Sequence, residues 1–372
     1  MTNSAFRVLI AGGGVAGLEA ALALRAAGGD ELDIELIAPD TRFVYRPLSV
    51  RDAFGPRATR AYDLAPLLAD SRVRLVHGQV AIVEPDARFV RLESGVDLPY
   101  DALILATGAD RAPAVPGAAT FAGPSDAPAL KSVVDSLCGG ALRRALFVVP
   151  PGLTWSLPAY ELALETATRV RAAGSASEIA LVTPEPAPLD AFGDVASRAV
   201  RRELEDRGAE VFTGSYADAF SRGQLRLDLQ GSVHADAVWT TSRLVPRVPT
   251  GIPRDHNGCV PIDDRCAVRG FVDVFAAGDV TDFPVNQGGV AAQHADTAAH
   301  AIAAIAGLAP EPAIEPPVLR AILITGGEPL YLRYENGVSE AAHEPLWWPP
   351  HKIFGHHLAS LLAGLEHLGT PA

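Results

Sequence analysis

The stretch RVLIAGGGVAGLEAALALRAAG, Arg7 to Gly28, limits the fold more than any other part of this 372-residue chain. It reads as a short β-branched strand, a glycine turn and an alanine-rich helix. Gly12, Gly14 and Gly17 fit G-x-G-x-x-G in the strand–turn–helix setting of a dinucleotide-binding unit. Gly12 permits the tight turn, Gly14 lets the backbone approach a pyrophosphate, and Gly17 lets helix and strand pack closely. The helix start at Val15 and Ala16 then faces the phosphates with free N–H groups and a partial positive charge.

One such unit uses a fraction of the chain, so the length predicts two or three domains. A hydrophobic content of 48% with 20% charged residues describes a folded protein. The formal charge of −13 argues against nucleic acid and against electrostatic adsorption to anionic lipid. Cys138, Cys259 and Cys266 form no CxxC pair, which suits a reducing compartment and excludes a disulfide framework. Glycines and Glu19 break the apolar run at the N-terminus, so it reads as a mature cytoplasmic start, not a signal peptide. No stretch is long and apolar enough to span a membrane. The histidines are scattered and show no metal-ligand spacing.

The second strand, LDIELIAPD, carries Ala38 where an acidic residue would hold a ribose, and Asp40 two residues later is the substitute. YDALILATGA is a buried strand closing on Thr107 and Gly108. DVFAAGDVTDFPVNQGGVAAQ is another strand, ending at Gly278 and Asp279, with a long helix after it. With these motifs in this order, the chain resembles the flavoproteins with two dinucleotide-binding domains, the FAD-dependent pyridine nucleotide-disulfide oxidoreductase superfamily. The resemblance implies FAD as cofactor, with Thr107 and Gly108 packed near it. It implies that Asp279 accepts a hydrogen bond from the ribityl chain. The backbone from Gln287 through Gly288 to Gly289 would aim a helix N-terminus at the flavin pyrimidine carbonyl, where a reduced flavin carries negative charge. It also makes Val80, on the first strand of HGQVAIVEPDARFVRL, an adenine clamp; a plain structural hairpin is the other reading.

A second β-α-β layout follows: the strand ALFVVP, a turn, a helix from about Pro158, the strand in SEIALVTPEPAPL, then another helix and strand. A reductase using NADH or NADPH would repeat the glycine motif here. Instead the turn holds Pro150 and Pro151, which lack N–H donors, a single Gly152, and Trp155 beside the expected pyrophosphate path. The PAYE at Pro158 to Glu161, with RFVYRPLS and FPVNQGGVAAQ, resembles sulfide:quinone oxidoreductases and flavocytochrome c sulfide dehydrogenases. Those keep the second fold without using it for nicotinamide, and carry a reactive cysteine near this turn. Here the matching position is Trp155, which is expected to wall the substrate pocket, and no other cysteine matches a flavin-facing one.

By the same resemblance Pro47 shapes the wall beside the isoalloxazine. Arg46 or Tyr45 is expected to touch substrate; the other reading of Arg46 is a contact to an FAD phosphate or a solvated loop charge. Asn286 stands where close relatives have lysine, so it brings an amide but no charge to the flavin, and Gln287 is a polar group at the helix start. The tail PLWWPPHKIFGHHLASLLAGLEHLG carries Phe354, Leu358, Leu361, Leu365 and Leu368 at helical spacing. That stripe packs on its own domain, on a second copy as a homodimer, or on a membrane surface as a peripheral contact.

The expected fold is α/β, with two Rossmann-like three-layer domains, the FAD domain interrupted by the second, and a C-terminal helical extension. The boundaries are 1–118 and 244–309 for the FAD domain, 119–243 for the second, and 310–372 for the extension. The expected function is that of an FAD-dependent oxidoreductase passing two electrons between a small reductant and a quinone-like or other acceptor, without a redox-active disulfide. The alternatives are an NAD(P)H:quinone-type dehydrogenase and a flavin-bearing structural or regulatory protein without turnover.

Overall fold

The computed structural model describes residues 5–228, 231–311 and 313–368, with side chains up to residue 363. The chain opens with β1 (Phe6–Ala11), α1 (Val15–Gly28) and β2 (Leu32–Ala38), then β3 (Arg74–His77) and β4 (Ala102–Leu105). It continues through β5 (Ala119–Phe121), α2 (Ala127–Cys138), β6 (Arg144–Val148), α3 (Leu157–Ala172) and β7 (Glu178–Val182). Next come α4 (Gly193–Asp206), β8 (Glu210–Phe212), β9 (Ala237–Thr241), β10 (Val274–Ala276) and α5 (Gly288–Ile305). The C-terminal part contains β11 (Leu319–Leu323), β12 (Leu330–Glu335), β13 (Val338–Ala342) and α6 (Leu358–Leu368).

Two parallel five-stranded sheets organise these elements. The first has the order β10-β4-β1-β2-β3 and the second β5-β9-β6-β7-β8. Every strand of the second sheet lies between β4 and β10, so the first sheet is split in sequence around it. Continuous apolar runs such as VLIA and ALFV suit strands covered on both faces. Alanines on α1 and α5, among them the fully buried Ala20, Ala23, Ala295 and Ala298, let these helices pack closely behind the first sheet. The chain crosses between the sheets on two short segments, Ala109–Ala112 and Arg243–Pro246, which pair antiparallel.

The C-terminal extension departs from the helical expectation. It begins with a three-stranded antiparallel sheet, β11-β12-β13. Its second turn is Asn336-Gly337, both at positive φ, the chemistry of a tight hairpin. Leu319, Ala321, Leu323, Leu330 and Leu332 bury against the second core, whereas Ile353, Leu358 and Leu362 join the first. One segment is therefore anchored in both cores. The tail helix begins at Leu358, later than the stripe from Phe354 implies. The reason is Glu19, a fully buried carboxylate on α1 that accepts the N–H groups of His357 (3.0 Å) and Leu358 (2.8 Å) and so caps α6. Gly355 passes so close that a Cβ there would sit 2.6 Å from a Glu19 oxygen. Burial raises the Glu19 pKa against the pull of those two donors. Leu358 packs on the molecule's own core; the side chains of Leu365 and Leu368 lie outside the described residues.

Candidate functional site

A cleft of about 1140 Å³ runs along the C-terminal ends of the first sheet and reaches the second turn and the extension. Its floor is the glycine turn. Gly12, Gly14, Val15 and Ala16 line it, and the turn tolerates no side chain at its two tightest points. Gly12 has φ +127°, and a Cβ there would stand 2.1 Å from the Ala106 carbonyl oxygen. A Cβ on Gly17 would stand 1.8 Å from the Gly12 carbonyl oxygen, so Gly17 supports the turn from behind. At Gly14 a Cβ would enter open space, and no side chain caps α1. The first N–H groups of α1 are thus presented to the cleft.

At one end, beyond β2, the wall is made by Asp40, Val80 and Glu93. The expected acid position holds the buried Ala38, and Asp40 is exposed at the rim. Val80 opens a hairpin, as expected, and is itself buried. In the middle, Thr107 donates through Oγ1 to the Arg247 carbonyl, and Gly108 has φ +66°. Gly278 has φ +82° at the end of the β10 strand, and Asp279 follows it, half-buried and facing the cleft. Burial raises the Asp279 pKa, while Arg111 and Arg46 pull it down. Both arginines line the cleft; burial lowers the Arg111 pKa, with Arg46 adding to the effect.

At the other end stand Asn286, Gln287 and Gly288 at the start of α5, facing Pro47 and Trp155. Asn286 and Gln287 are 5% and 7% exposed, and Asn286 Oδ1 and Gln287 Nε2 have no hydrogen-bond partner among the described residues. Trp155 is half-buried, with its ring 6.3 Å from Phe192. The turn before it is tied down. Thr154 Oγ1 donates to the Ser242 carbonyl (2.9 Å) and Leu244 N–H to the Leu153 carbonyl (2.9 Å). Thr154, Trp155, Leu157 and Pro158 line the cleft, whereas Pro150, Pro151 and Gly152 do not. The acidic group after the next strand, Glu185, accepts from Tyr160 (2.6 Å) and Thr183 (2.7 Å).

Sequence reading missed an ion pair in the same wall. Lys352 Nζ bonds Glu161 Oε1 and donates to the Pro47 carbonyl (3.1 Å). Both side chains are buried, and Glu161 Oε1 also accepts the Ile324 N–H at 3.0 Å. Burial raises the Glu161 pKa and Lys352 opposes it. Glu161 closes the PAYE stretch, but its partner is 191 residues away, so no local pattern pairs them. Arg111 and Arg320, also in the wall, escaped for the same reason. The cysteines stand apart. None lines the cleft, and burial pushes Cys259 up to about 11 and Cys266 to about 12, which keeps both as inert thiols.

The pyridine nucleotide-disulphide oxidoreductase family model matches residues 6–304. The chain belongs to that family. As a pyridine nucleotide-disulphide oxidoreductase it is an FAD-dependent enzyme. An NADH dehydrogenase-like protein of Mycobacterium tuberculosis is 32% identical over 292 residues, 74% of this chain and 72% of that one. A type II NADH:quinone oxidoreductase of the same species is 28% identical, over 75% of this chain and 67% of its own. The crystal structure of the sulfide:quinone oxidoreductase from Aquifex aeolicus superposes with a TM-score of 0.81 at 21% identity, covering 91% of this chain and 87% of that one. The cleft of this family member fits FAD on its own features: a cradle that side chains would fill, and buried amides at Asn286 and Gln287 without partners. Among the described residues there is no cluster of metal ligands, and no helix is long and apolar enough to cross a membrane.

Proposed function

We propose that the protein passes two electrons from a small reductant to a quinone-like acceptor, and that its second dinucleotide fold does not grip a nicotinamide dinucleotide. The second turn carries this reading. Its Leu153 carbonyl accepts the Leu244 N–H and its Thr154 hydroxyl donates to the Ser242 carbonyl, its prolines offer no N–H to a phosphate, and the Glu185 carboxylate that would meet a ribose is held by Tyr160 and Thr183. Bound FAD supplies the two-electron chemistry. The chain binds and orients it. Gly12, Gly14, Val15 and Ala16 receive the pyrophosphate, with Gly17 behind them. Asp40 and Val80 take the adenosine side. Arg46, Thr107, Gly108 and Gly278 flank the middle, Asp279 accepts from the ribityl chain, and Gln287 and Gly288 meet the ring. Trp155, Pro47 and Asn286 enclose the substrate space. Glu161 and Lys352 hold a proton between them beside Pro47, where an acceptor gaining electrons needs one.

A second reading, an NAD(P)H:quinone-type dehydrogenase, is favoured by the names of the M. tuberculosis relatives. Stopped-flow reduction by NADH, NADPH and sulfide, with a soluble quinone as acceptor, separates the two. Under the first, NADH binds in the millimolar range or more weakly, about 4 kcal/mol or less. Micromolar NADH affinity with rapid flavin bleaching establishes the second.

A further inference from the structure

We infer that Arg320, on β11 of the C-terminal extension, supplies a positive charge at the pyrimidine edge of the bound flavin. The inference rests on the FAD placement proposed above, and the cleft itself locates the ring. The glycine turn takes the pyrophosphate, and the adenosine side opens past β2 toward Asp40, Val80 and Glu93. The ring system is left with the opposite end, walled by Asn286, Gln287, Arg320 and Lys352.

That end is unsatisfied in a way the rest of the cleft is not. Several buried side-chain nitrogens and oxygens lack a hydrogen-bond partner among the described residues. Three of them belong to cleft-lining residues: Asn286 Oδ1, Gln287 Nε2 and Arg320 Nε. Folded proteins leave few such groups, and three at one end of a cofactor cleft point to a polar ligand edge. Phe354 lies between Arg320 and the start of α5. The Arg320 guanidinium lies over the Phe354 ring, 4.4 Å from its centroid. The Phe354 carbonyl lies 3.8 Å from the point where a Cβ on Gly289 would sit, and Gln287 Oε1 is 3.2 Å from that point. A second tie holds β11 to α5: the Gln293 side chain accepts the Val318 N–H (2.8 Å) and donates to the Val318 carbonyl (2.9 Å).

The α5 N-terminus offers roughly half a positive charge, and Arg320 adds a whole one. Burial lowers its pKa, with Arg333 adding to the effect and Glu335 opposing, yet a guanidinium stays charged at neutral pH. A reduced flavin is more negative than an oxidised one along this edge, so a fixed cation there favours reduction. Arg320 is therefore assigned as a residue that tunes the cofactor.

The test is the two-electron midpoint potential of the FAD-loaded protein, with sulfite affinity of the oxidised form as a second readout. Arg320→Gln is expected to weaken the preference for the reduced form about tenfold, a fall of about 30 mV, and to weaken sulfite binding in parallel. Arg320→Lys should stay within about threefold of wild type, since the charge remains. Phe354→Leu removes the aromatic seat without removing the charge. It should move the potential the same way by less, and it decides the matter if Arg320→Gln does not fold. Unchanged potentials in the variants that fold overturn the inference, as does an unchanged potential with a raised KM for an anionic donor. A wild-type protein that stays colourless with added FAD refutes the FAD placement instead.

Discussion

Replacing Lys352 with Met leaves the Glu161 carboxylate buried without its cation. The two side chains are 7% and 1% exposed, so water cannot take the place of the ammonium group. Breaking a buried pair from one side costs about 3–5 kcal/mol. Unfolding entropy of about 2.1 cal/mol/K per residue then predicts a melting temperature lower by about 4–6 °C, if the molecule unfolds as one unit. The loss depends on pH in a definite direction. Burial already raises the Glu161 pKa, and removing Lys352 removes the largest opposing influence. A carboxyl whose folded pKa lies above its unfolded value is stabilising below the unfolded pKa and loses that stability as pH rises through the folded one. The deficit relative to wild type should be smallest in the acid range, where the Glu161 carboxyl is protonated, and should grow as pH rises and the carboxyl ionises. Adding Glu161→Gln should recover most of it, because the introduced amide oxygen can still accept the Ile324 N–H and no charge is left buried. Differential scanning calorimetry of wild type, single and double variants from acid to alkaline pH is the assay. A single variant that melts with wild type at high pH, or a double variant no better than the single, refutes the reasoning.

Gly17→Ala places a methyl group 1.8 Å from the Gly12 carbonyl, so the turn must open. The purified variant should be colourless while keeping its circular dichroism, and a stoichiometrically yellow protein contradicts this. His294, buried on α5 with its ring 4.7 Å from Phe283, has its pKa pushed down to about 4 by burial. A lowered histidine contributes stability above its unfolded pKa of 6.5 that is lost as pH falls toward 4, about 3 kcal/mol in all. Wild type should therefore lose melting temperature faster than His294→Gln over that interval, and parallel curves count against it.

The parts of the site that are short-range were legible in the residues. The glycine turn could be read because strand, turn and helix are contiguous, and the steric reasons for Gly12 and Gly17 act within one loop. The altered second turn was legible for the same reason. Lys352 and Glu161 were not, because their pairing depends on how the extension folds back across both cores. The β12–β13 hairpin had a local signal in Asn336-Gly337, but β11 and β12 are short and carry Arg320 and Arg333, which blur the apolar pattern. Glu19 reads in sequence as an interruption of an apolar helix. Its partners, the N–H groups of His357 and Leu358, are more than 300 residues away.

The extension's double anchorage also governs how a molecule can enter the cleft. Its sheet is fixed in the second core, and the segment from Ile353 is fixed in the first. Swinging the two halves apart would have to draw Lys352 off Glu161 or strip the Glu19 carboxylate from the end of α6. Either movement exposes or abandons a buried charge. The double anchorage therefore works against hinge opening of the cleft between the halves.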